Sequence, residues 1–371
     1  MEFHPKFAPV DLGRNRGQMR VMFDLGHASH YYLLRPVMKA LRDRGDEVRI
    51  IVRDREGLVS KLLIADGEKF QIISKDVKRG AVRKTMRMIV NDIRVLKIAA
   101  EFRPDVFLSL ASPYAGFASF VLRKPHIIYT DTEVARIILL LALPFSTTMI
   151  TPASFTSKYR KRNHIRTDGY KVLAYLNPKS FRPDPSVLAG SGLTEGDRFT
   201  VVRFSSYDAS HDFGLAGLNA ESRVRLVEEL AKHSKVIVSS EVELEPRLKE
   251  FEYRLPPEKI LDLIYYASLY VGEGATMACE AAVLGVPSVF IHRNTAGILD
   301  DLEREGLLRS FHRPNEDLTE IMALCRKMLE DGSFKREQKE KSKALFKKKE
   351  DPADVIIREV ERLRAGAGSP G

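Results

Sequence analysis

The stretch YVGEGATMACEAAVLGVP, residues 270–287, decides the fold predicted for this chain. An apolar strand ends at Gly272, and Gly274 lets the backbone approach a ligand closely because it has no Cβ. Small residues then continue with helical spacing to Gly285, and Pro287 prevents the helix from going further. This order predicts a strand, a tight turn and a helix, which is the repeating unit of parallel α/β sheets.

The same stretch carries one acid, Glu280, which lies four residues after Thr276 and therefore on the same face of the helix. A carboxylate can accept hydrogen bonds from two neighbouring ribose hydroxyls. The backbone N–H groups at the helix start, near Ala275 and a Thr276 that we expect to cap the helix, suit a phosphate. We therefore expect this unit to bind a nucleotide, with helix packing and a surface acid as the simpler alternative.

Strand and helix patterns alternate along the rest of the chain, with one proline-rich interruption. This indicates an α/β protein with two Rossmann-like doubly wound domains and a cleft between them. The predicted boundaries are a flexible extension over 1–18, an N-terminal Rossmann-like domain over 19–176, a linker over 177–199, a C-terminal Rossmann-like domain over 200–350, a helix over 351–365 and a flexible tail over 366–371.

Composition narrows the class of protein. An apolar fraction of 44% and a charged fraction of 30% are typical of a globular chain. The two cysteines have neither disulfide nor zinc spacing, which favours a cytoplasmic protein without a metal site. A net charge of +10 fits ordinary solubility, phosphorylated ligands or an anionic membrane surface. A nucleic-acid partner is disfavoured because no known recognition motif is present.

A second candidate turn, DLGHASHYY, follows the first predicted strand. Gly26 permits a tight turn, and a helix starting near Ser29 would offer its N-terminus to an anion. His27 and His30 either donate to that anion or supply a general base, unless they only cap and pack. A dinucleotide site would need three spaced glycines here, so NAD is disfavoured.

Two further turns carry polar side chains at predicted strand ends. YTDTEVAR places Asp131 and Glu133 after a strand, where they serve catalysis or cap the next helix. VVRFSSYDASHDFG offers Arg203, Ser205 and Ser206, whose guanidinium and hydroxyls suit a pyrophosphate.

The densest basic segment, around residues 78–97, places Arg83, Lys84 and Arg87 among apolar residues with helical spacing. Cations interleaved with apolar side chains are typical of a helix that lies on an anionic membrane surface. A core helix with a solvated basic face fits the same pattern.

Taken together, these motifs resemble a known superfamily. YYASLYVGEGATMACEAAVLGVPSVFI is similar to the donor-binding segment of GT-B glycosyltransferases and of non-hydrolysing UDP-N-acetylglucosamine 2-epimerases. FDLGHASHYYLLRPVMKAL, DTE, ITP and FRPDPSVL resemble an uncharacterised, largely archaeal family of predicted glycosyltransferases. The likeness covers most of residues 19–310.

The resemblance implies a role for each segment. Glu280 would bind ribose, residues 274–276 with Ser205 and Ser206 the pyrophosphate, and residues 255–260 the base. The turn with His30 would face the acceptor, and no metal or other cofactor is required. The glycine-rich phosphate turn of the peptidoglycan transferases is replaced here by GHASHYY and FSSYD, so the superfamily is better supported than any one reaction.

Three functions follow as hypotheses. The first is transfer from a nucleotide-diphosphate sugar, with UDP favoured, to a lipid-phosphate or glycan acceptor that the sequence does not identify. His30, Asp131 and Glu133 are the candidate bases, and the sequence does not choose among them. The second is a nucleotide-sugar 2-epimerase in which Asp131 or Glu133 abstracts a ring proton. The third is a non-catalytic basic protein at the inner membrane face.

Overall fold

The structure, a computed structural model, describes residues 17–54, 57–75, 81–131, 136–157, 159, 161–205, 217–293 and 296–367. Seven strands form the N-terminal half: β1 (Arg20–Leu25), β2 (Glu47–Asp54), β3 (Gln71–Lys75), β4 (Val106–Ser109), β5 (His126–Tyr129), β6 (Thr148–Pro152) and β7 (His164–Thr167). The helices among them are α1 (Ala28–Asp43), α2 (Leu58–Ala65), α3 (Ala81–Phe102), α4 (Pro113–Val121), α5 (Arg136–Ala142) and α6 (Leu173–Leu176), with a 3₁₀ turn at Leu143–Phe145.

These seven strands form one parallel sheet in the order β3-β2-β1-β4-β5-β6-β7. Helices cover both faces. Met22 and Phe107 pack on one face with Val95 of α3, and Ile128 lies on the same face with Leu139 of α5. Thus α3, α4 and α5 form one helical layer, while α1 and α2 pack on the opposite face. This is the doubly wound arrangement that the sequence predicts.

The second half contains α7 (Ser186–Gly190), β8 (Phe199–Phe204), α8 (Ala220–Ala231), β9 (Lys235–Ser240), α9 (Ile260–Tyr266), β10 (Leu269–Gly272), α10 (Ala275–Val283), β11 (Ser288–Ile291), α11 (Gly297–Arg304), β12 (Leu308–Phe311), α12 (Leu318–Glu330), α13 (Phe334–Lys348) and α14 (Pro352–Ala367), with 3₁₀ turns at Pro246–Phe251 and Pro257–Lys259. Its five strands form a parallel sheet in the order β12-β11-β10-β8-β9. The proline-rich stretch predicted as a linker thus holds one short helix, α7, and ends where β8 begins.

The last helix returns to the first half. α14 packs against α1, and Arg44 at the end of α1 forms an ion pair with Glu361 at 2.6 Å. Arg364 pairs with the buried Asp46, and Thr148 of β6 donates to Glu359. The C-terminal helix is therefore part of the N-terminal half in space, although it is last in the chain.

The two halves touch directly. A Cβ on Gly297, the first residue of α11, would lie 1.9 Å from the carbonyl oxygen of Ser154, so only glycine fits this contact. Tyr170 donates from its hydroxyl to Asp301 at 3.2 Å, also across the boundary. The segments after β6 and β7, together with α10 and α11, thus form the interface beside which a cleft site would lie.

Candidate functional site

Each sheet reverses its strand order once, between β1 and β4 in the first and between β8 and β10 in the second. Ligands of open α/β sheets bind beyond the carboxyl ends of the strands at such points. The turns that start at Gly26 and Ser205, and the turn over Gly272–Gly274, all lie at these positions. Three of the four candidate turns therefore sit where the topology places a ligand.

The two turns of the C-terminal sheet are in contact. A Cβ on Gly272 would lie 2.5 Å from the Tyr270 hydroxyl and 2.8 Å from Cβ of Arg203, so this position has room only for glycine. A Cβ on Gly274 would lie 3.4 Å from the Ser205 hydroxyl, which is ordinary contact. Arg203 itself donates to Ser239 at 2.6 Å and pairs with Glu241.

Glu273, which the sequence analysis passed over, joins these turns. Its buried carboxylate accepts the backbone N–H of Ser205 at 3.0 Å and that of Leu218 at 2.6 Å. Ser205 and Leu218 lie on either side of residues 206–216. Glu273 therefore fixes both ends of that segment against the turn after β10. Ser206 lies outside the described residues.

The helix α10 begins two residues earlier than a cap at Thr276 implies. Gly274 is the N-cap and makes no side-chain capping bond, so Thr276 lies within the first turn, where it is exposed. The expectation that Thr276 caps the helix is wrong, because the glycine turn already supplies the extended residue before the helix. The first N–H groups of α10, including that of Ala275, have no acceptor within the helix and suit an anion.

Glu280 is buried rather than on the surface, with 6% of its area exposed. The hydroxyl of Tyr175, on α6 of the other half, donates to it at 2.6 Å. Burial raises the pKa of the Glu280 carboxyl to about 7, although the Tyr175 bond and the charges of Lys171 and Arg203 lower it. The carboxylate thus faces the interface between the halves, and nothing in the local sequence pattern signalled Tyr175.

A second carboxylate lies on the opposite side of this interface. Asp131, directly after β5, forms an ion pair with Lys171 at 2.8 Å, and Lys171 is almost fully buried. Residues 132–135 lie outside the described part of the chain, so the alternative in which Asp131 caps the next helix stays a prediction. Glu133 lies outside the described residues. Lys171 follows a strand without any motif, so sequence reasoning missed it.

His30 lies near this ion pair in the first turn of α1. The backbone N–H of Gly26 donates to its Nδ1 at 3.2 Å. Burial and the neighbouring charge of Arg53 hold the pKa of the imidazole well below its usual range. The neutral ring therefore carries its proton on Nε2 and presents a donor. His27 caps the helix, and its Nδ1 accepts the N–H of Ser29 at 3.2 Å.

The guanidinium of Arg53 packs against the turn at Gly26. Its Nε donates to the buried Asp24 at 3.0 Å, and a Cβ on Gly26 would lie 2.7 Å from its Nη2. Ser112, the N-cap of α4, also donates to Asp24. The sequence analysis named the glycine but not this Asp24–Arg53–Ser112 network, whose members come from three separate strand ends.

The three cations assigned to a membrane surface, Arg83, Lys84 and Arg87, lie on α3 as expected, but their side chains are outside the described part. Within the described ranges, no group of three or more His, Cys, Asp or Glu side chains could hold a metal ion. Among the described residues, no helix is long and apolar enough to cross a membrane.

Two parallel sheets of seven and five strands, with their order reversals at the cleft, define a GT-B fold. Solved structures share it at low sequence identity. The Neisseria meningitidis UDP-GlcNAc 2-epimerase bound to UDP-GlcNAc is 12% identical with a TM-score of 0.67, covering 93% of this chain and 100% of that chain. The spinosyn forosaminyltransferase SpnP is 16% identical with a TM-score of 0.63, covering 94% and 100%.

The chain belongs to the family described as Protein of unknown function (DUF354), whose profile matches residues 19–364. It is also 26% identical to Uncharacterized protein MJ0665 of Methanocaldococcus jannaschii over 287 residues, 72% of this chain and 80% of that protein. The predicted fold class and the resemblance to GT-B proteins are confirmed. This fold is that of enzymes that use nucleotide sugars.

Proposed function

We propose that the protein transfers a sugar from a nucleotide-diphosphate sugar, with UDP favoured, to an acceptor held by the N-terminal half. One observation carries the proposal: the buried Glu280 carboxylate lies on α10, whose N-terminus adjoins Gly274, Ser205 and Arg203. Ribose hydroxyls on the carboxylate would bring the diphosphate to the helix N-terminus.

In this proposal the donor displaces one contact. Tyr175 donates to Glu280, and ribose hydroxyls take the place of this donor when the nucleotide binds. The cations around the carboxylate, Lys171 and Arg203, keep enough positive charge at the site to favour a diphosphate. Helix N–H groups and Arg203 then stabilise the departing diphosphate.

Among the candidate bases, the geometry favours Asp131. Nδ1 of His30 already accepts a backbone N–H, so that ring acts as a donor that orients the acceptor or the sugar. Asp131 is a carboxylate at a strand end facing the interface, and Lys171 holds it in place. Asp131 therefore takes the proton of the acceptor hydroxyl as the new bond forms.

The alternative is a nucleotide-sugar 2-epimerase. The likeness in fold to UDP-GlcNAc 2-epimerases over more than nine-tenths of the chain favours it, and Asp131 would then abstract the proton at C2. Incubating UDP-GlcNAc with the protein in D₂O separates the two reactions. Deuterium at C2 of recovered nucleotide sugar would establish epimerisation, whereas transfer leaves C2 unlabelled.

The first experiment is a thermal-shift panel of UDP, GDP, TDP and CDP, each with and without attached sugars. A ligand at about a hundred times its Kd stabilises a protein by roughly 2.7 kcal/mol, which raises Tm by several degrees. We expect a response to one nucleotide that is lost in Glu280→Ala. Glu250→Ala, an exposed acid of the same half, is the control. No response to any of the four would overturn the proposal.

A further inference from the structure

One helical layer carries most of the large hydrophobic side chains that are exposed within the described residues. Of eleven large hydrophobic side chains that are exposed within the described residues, nine belong to α3, α4 and α5. These nine residues, called here the α3–α5 face, are Ile89, Val90, Ile93, Phe120, Val121, Ile137, Ile138, Leu140 and Leu141. Because α3 packs on α4 and α4 on α5, they belong to one surface. Monomeric proteins rarely expose large contiguous apolar patches unless these are binding sites.

Packing in the hydrophobic core does not explain why these side chains are apolar. In α5, Leu139 and Ala142 are buried and attach the helix to the sheet. The same short helix leaves Ile137 76% exposed and Leu140 58% exposed. An ordinary surface helix has polar residues at such positions. The outward side of α5 is therefore an apolar surface that the described residues do not cover.

The charge around the α3–α5 face indicates the chemistry of that partner. The three helices and residues 122–124 contain only two acids, Asp92 and Glu101. The same segments contain eight cations: Arg83, Lys84, Arg87, Arg94, Lys97, Arg123, Lys124 and Arg136. A second copy of this chain would place like charges opposite each other, which is unfavourable. A partner with an apolar interior and an anionic surface would match both the apolar side chains and the excess of cations.

We propose that the α3–α5 face docks on a membrane surface that contains anionic phospholipids. The exposed aliphatic side chains of α5 and Phe120 enter the boundary between headgroups and acyl chains. The exposed cations Lys97, Arg123 and Lys124 lie near the lipid phosphates. An apolar contact combined with a basic cluster is the pair of signals that stable peripheral binding needs. The proposal does not depend on the nucleotide-sugar site, which lies at the strand ends.

The test is flotation of the full chain with vesicles of phosphatidylcholine alone or mixed with phosphatidylglycerol. We expect binding to the mixed vesicles that weakens as salt is raised. The double variant Ile137→Ser/Leu140→Ser is expected to lower the apparent partition coefficient by at least about tenfold, since both side chains leave the apolar contact. Neither side chain belongs to the candidate site.

The matched control is Ile64→Ser on α2, where an isoleucine 67% exposed lies on the opposite layer. This variant should bind vesicles as the unchanged protein does. Absence of binding to mixed vesicles would overturn the proposal, as would equal binding by the double variant. A dimer in sedimentation that the double variant abolishes, without vesicle binding, would assign the face to a second copy instead. Nucleotide thermal shifts measured on the same variants report separately on the donor site.

Discussion

At the scale of single residues, Glu280 combines a proposed binding role with a cost to stability. Burial raises its pKa from 4.5 to about 7, so the folded state holds the proton more tightly than the unfolded chain does. The stability that the neutral carboxyl contributes is therefore fully present below about pH 4.5 and is lost as pH rises through 7. A residue kept at such a cost is typical of a functional site.

Glu280→Gln should separate these two effects. The amide keeps an oxygen that can accept from Tyr175 but cannot ionise. We expect the variant to be more stable than the unchanged protein by about 1–3 kcal/mol near pH 8 and to show no such gain near pH 4.5. Urea unfolding at both pH values measures this. An equal difference at the two pH values would show that Glu280 does not titrate in this range.

The Asp131–Lys171 pair allows a structural role to be distinguished from a catalytic one. Asp131→Asn leaves the buried Lys171 without this carboxylate, which should cost roughly 2–4 kcal/mol. Adding Lys171→Met removes the buried charge and should restore most of that stability. Transferase activity should stay at least about a hundredfold reduced in both variants. Recovery of activity together with stability in the double variant would assign Asp131 a purely structural role.

At the scale of elements, the turn between β10 and α10 contains two glycines that meet different structural requirements. Gly272 has no space for a Cβ beside Tyr270 and Arg203, whereas Gly274 has ordinary room beside Ser205 and borders the proposed ligand. Packing thus demands the first glycine, and the proposed approach of a ligand demands the second.

Gly274→Ala and Gly272→Ala should consequently behave differently. We expect Gly274→Ala to unfold within about 1 kcal/mol of the unchanged protein but to bind nucleotide at least about tenfold more weakly. Gly272→Ala should lose about 1–3 kcal/mol of stability because the new methyl group overpacks the turn. Calorimetric titration with the responding nucleotide and urea unfolding test both. Unchanged affinity in Gly274→Ala would remove the diphosphate from this turn.

At the scale of the whole molecule, the C-terminal helix packs on the N-terminal half, although the chain reaches it from the C-terminal half. α14 is last in the chain, yet it packs on α1 and pairs with Arg44 and Asp46 of the first half. Asp46 is buried, so loss of Arg364 would leave its charge without this partner. The N-terminal half therefore depends on residues that are distant in sequence.

A chain ending at Glu350 should show this dependence. We expect it to lose several kcal/mol of stability and to unfold at a Tm lowered by about 10 °C or more, because the surface of α1 that α14 covers becomes exposed. A chain ending at Ala367, which lacks only the last four residues, is the control and should melt normally. A normal Tm for the shorter chain would mean that α14 contributes little.

Much of this architecture is local and was predictable from the sequence. The alternation of strands and helices follows from the periodicity of apolar residues. The turns at Gly26 and Gly274 follow from glycine, which has no Cβ and lets other groups approach closely. Glu280 lies on one face of its helix by spacing alone. They determined two doubly wound domains and the position of a candidate nucleotide site, because parallel sheets present their strand ends at one edge.

The tertiary structure alone decided which groups meet. Tyr175 reaches Glu280 across 105 residues of chain, and Lys171 reaches Asp131 from another strand end. Glu273 holds two backbone N–H groups, and α5 leaves Ile137 and Leu140 exposed. None of these contacts has a sequence period, because each depends on how finished elements pack. Packing therefore raised the pKa of Glu280, placed Asp131 beside Lys171 and left the α3–α5 face exposed, whereas the local pattern determined only the elements.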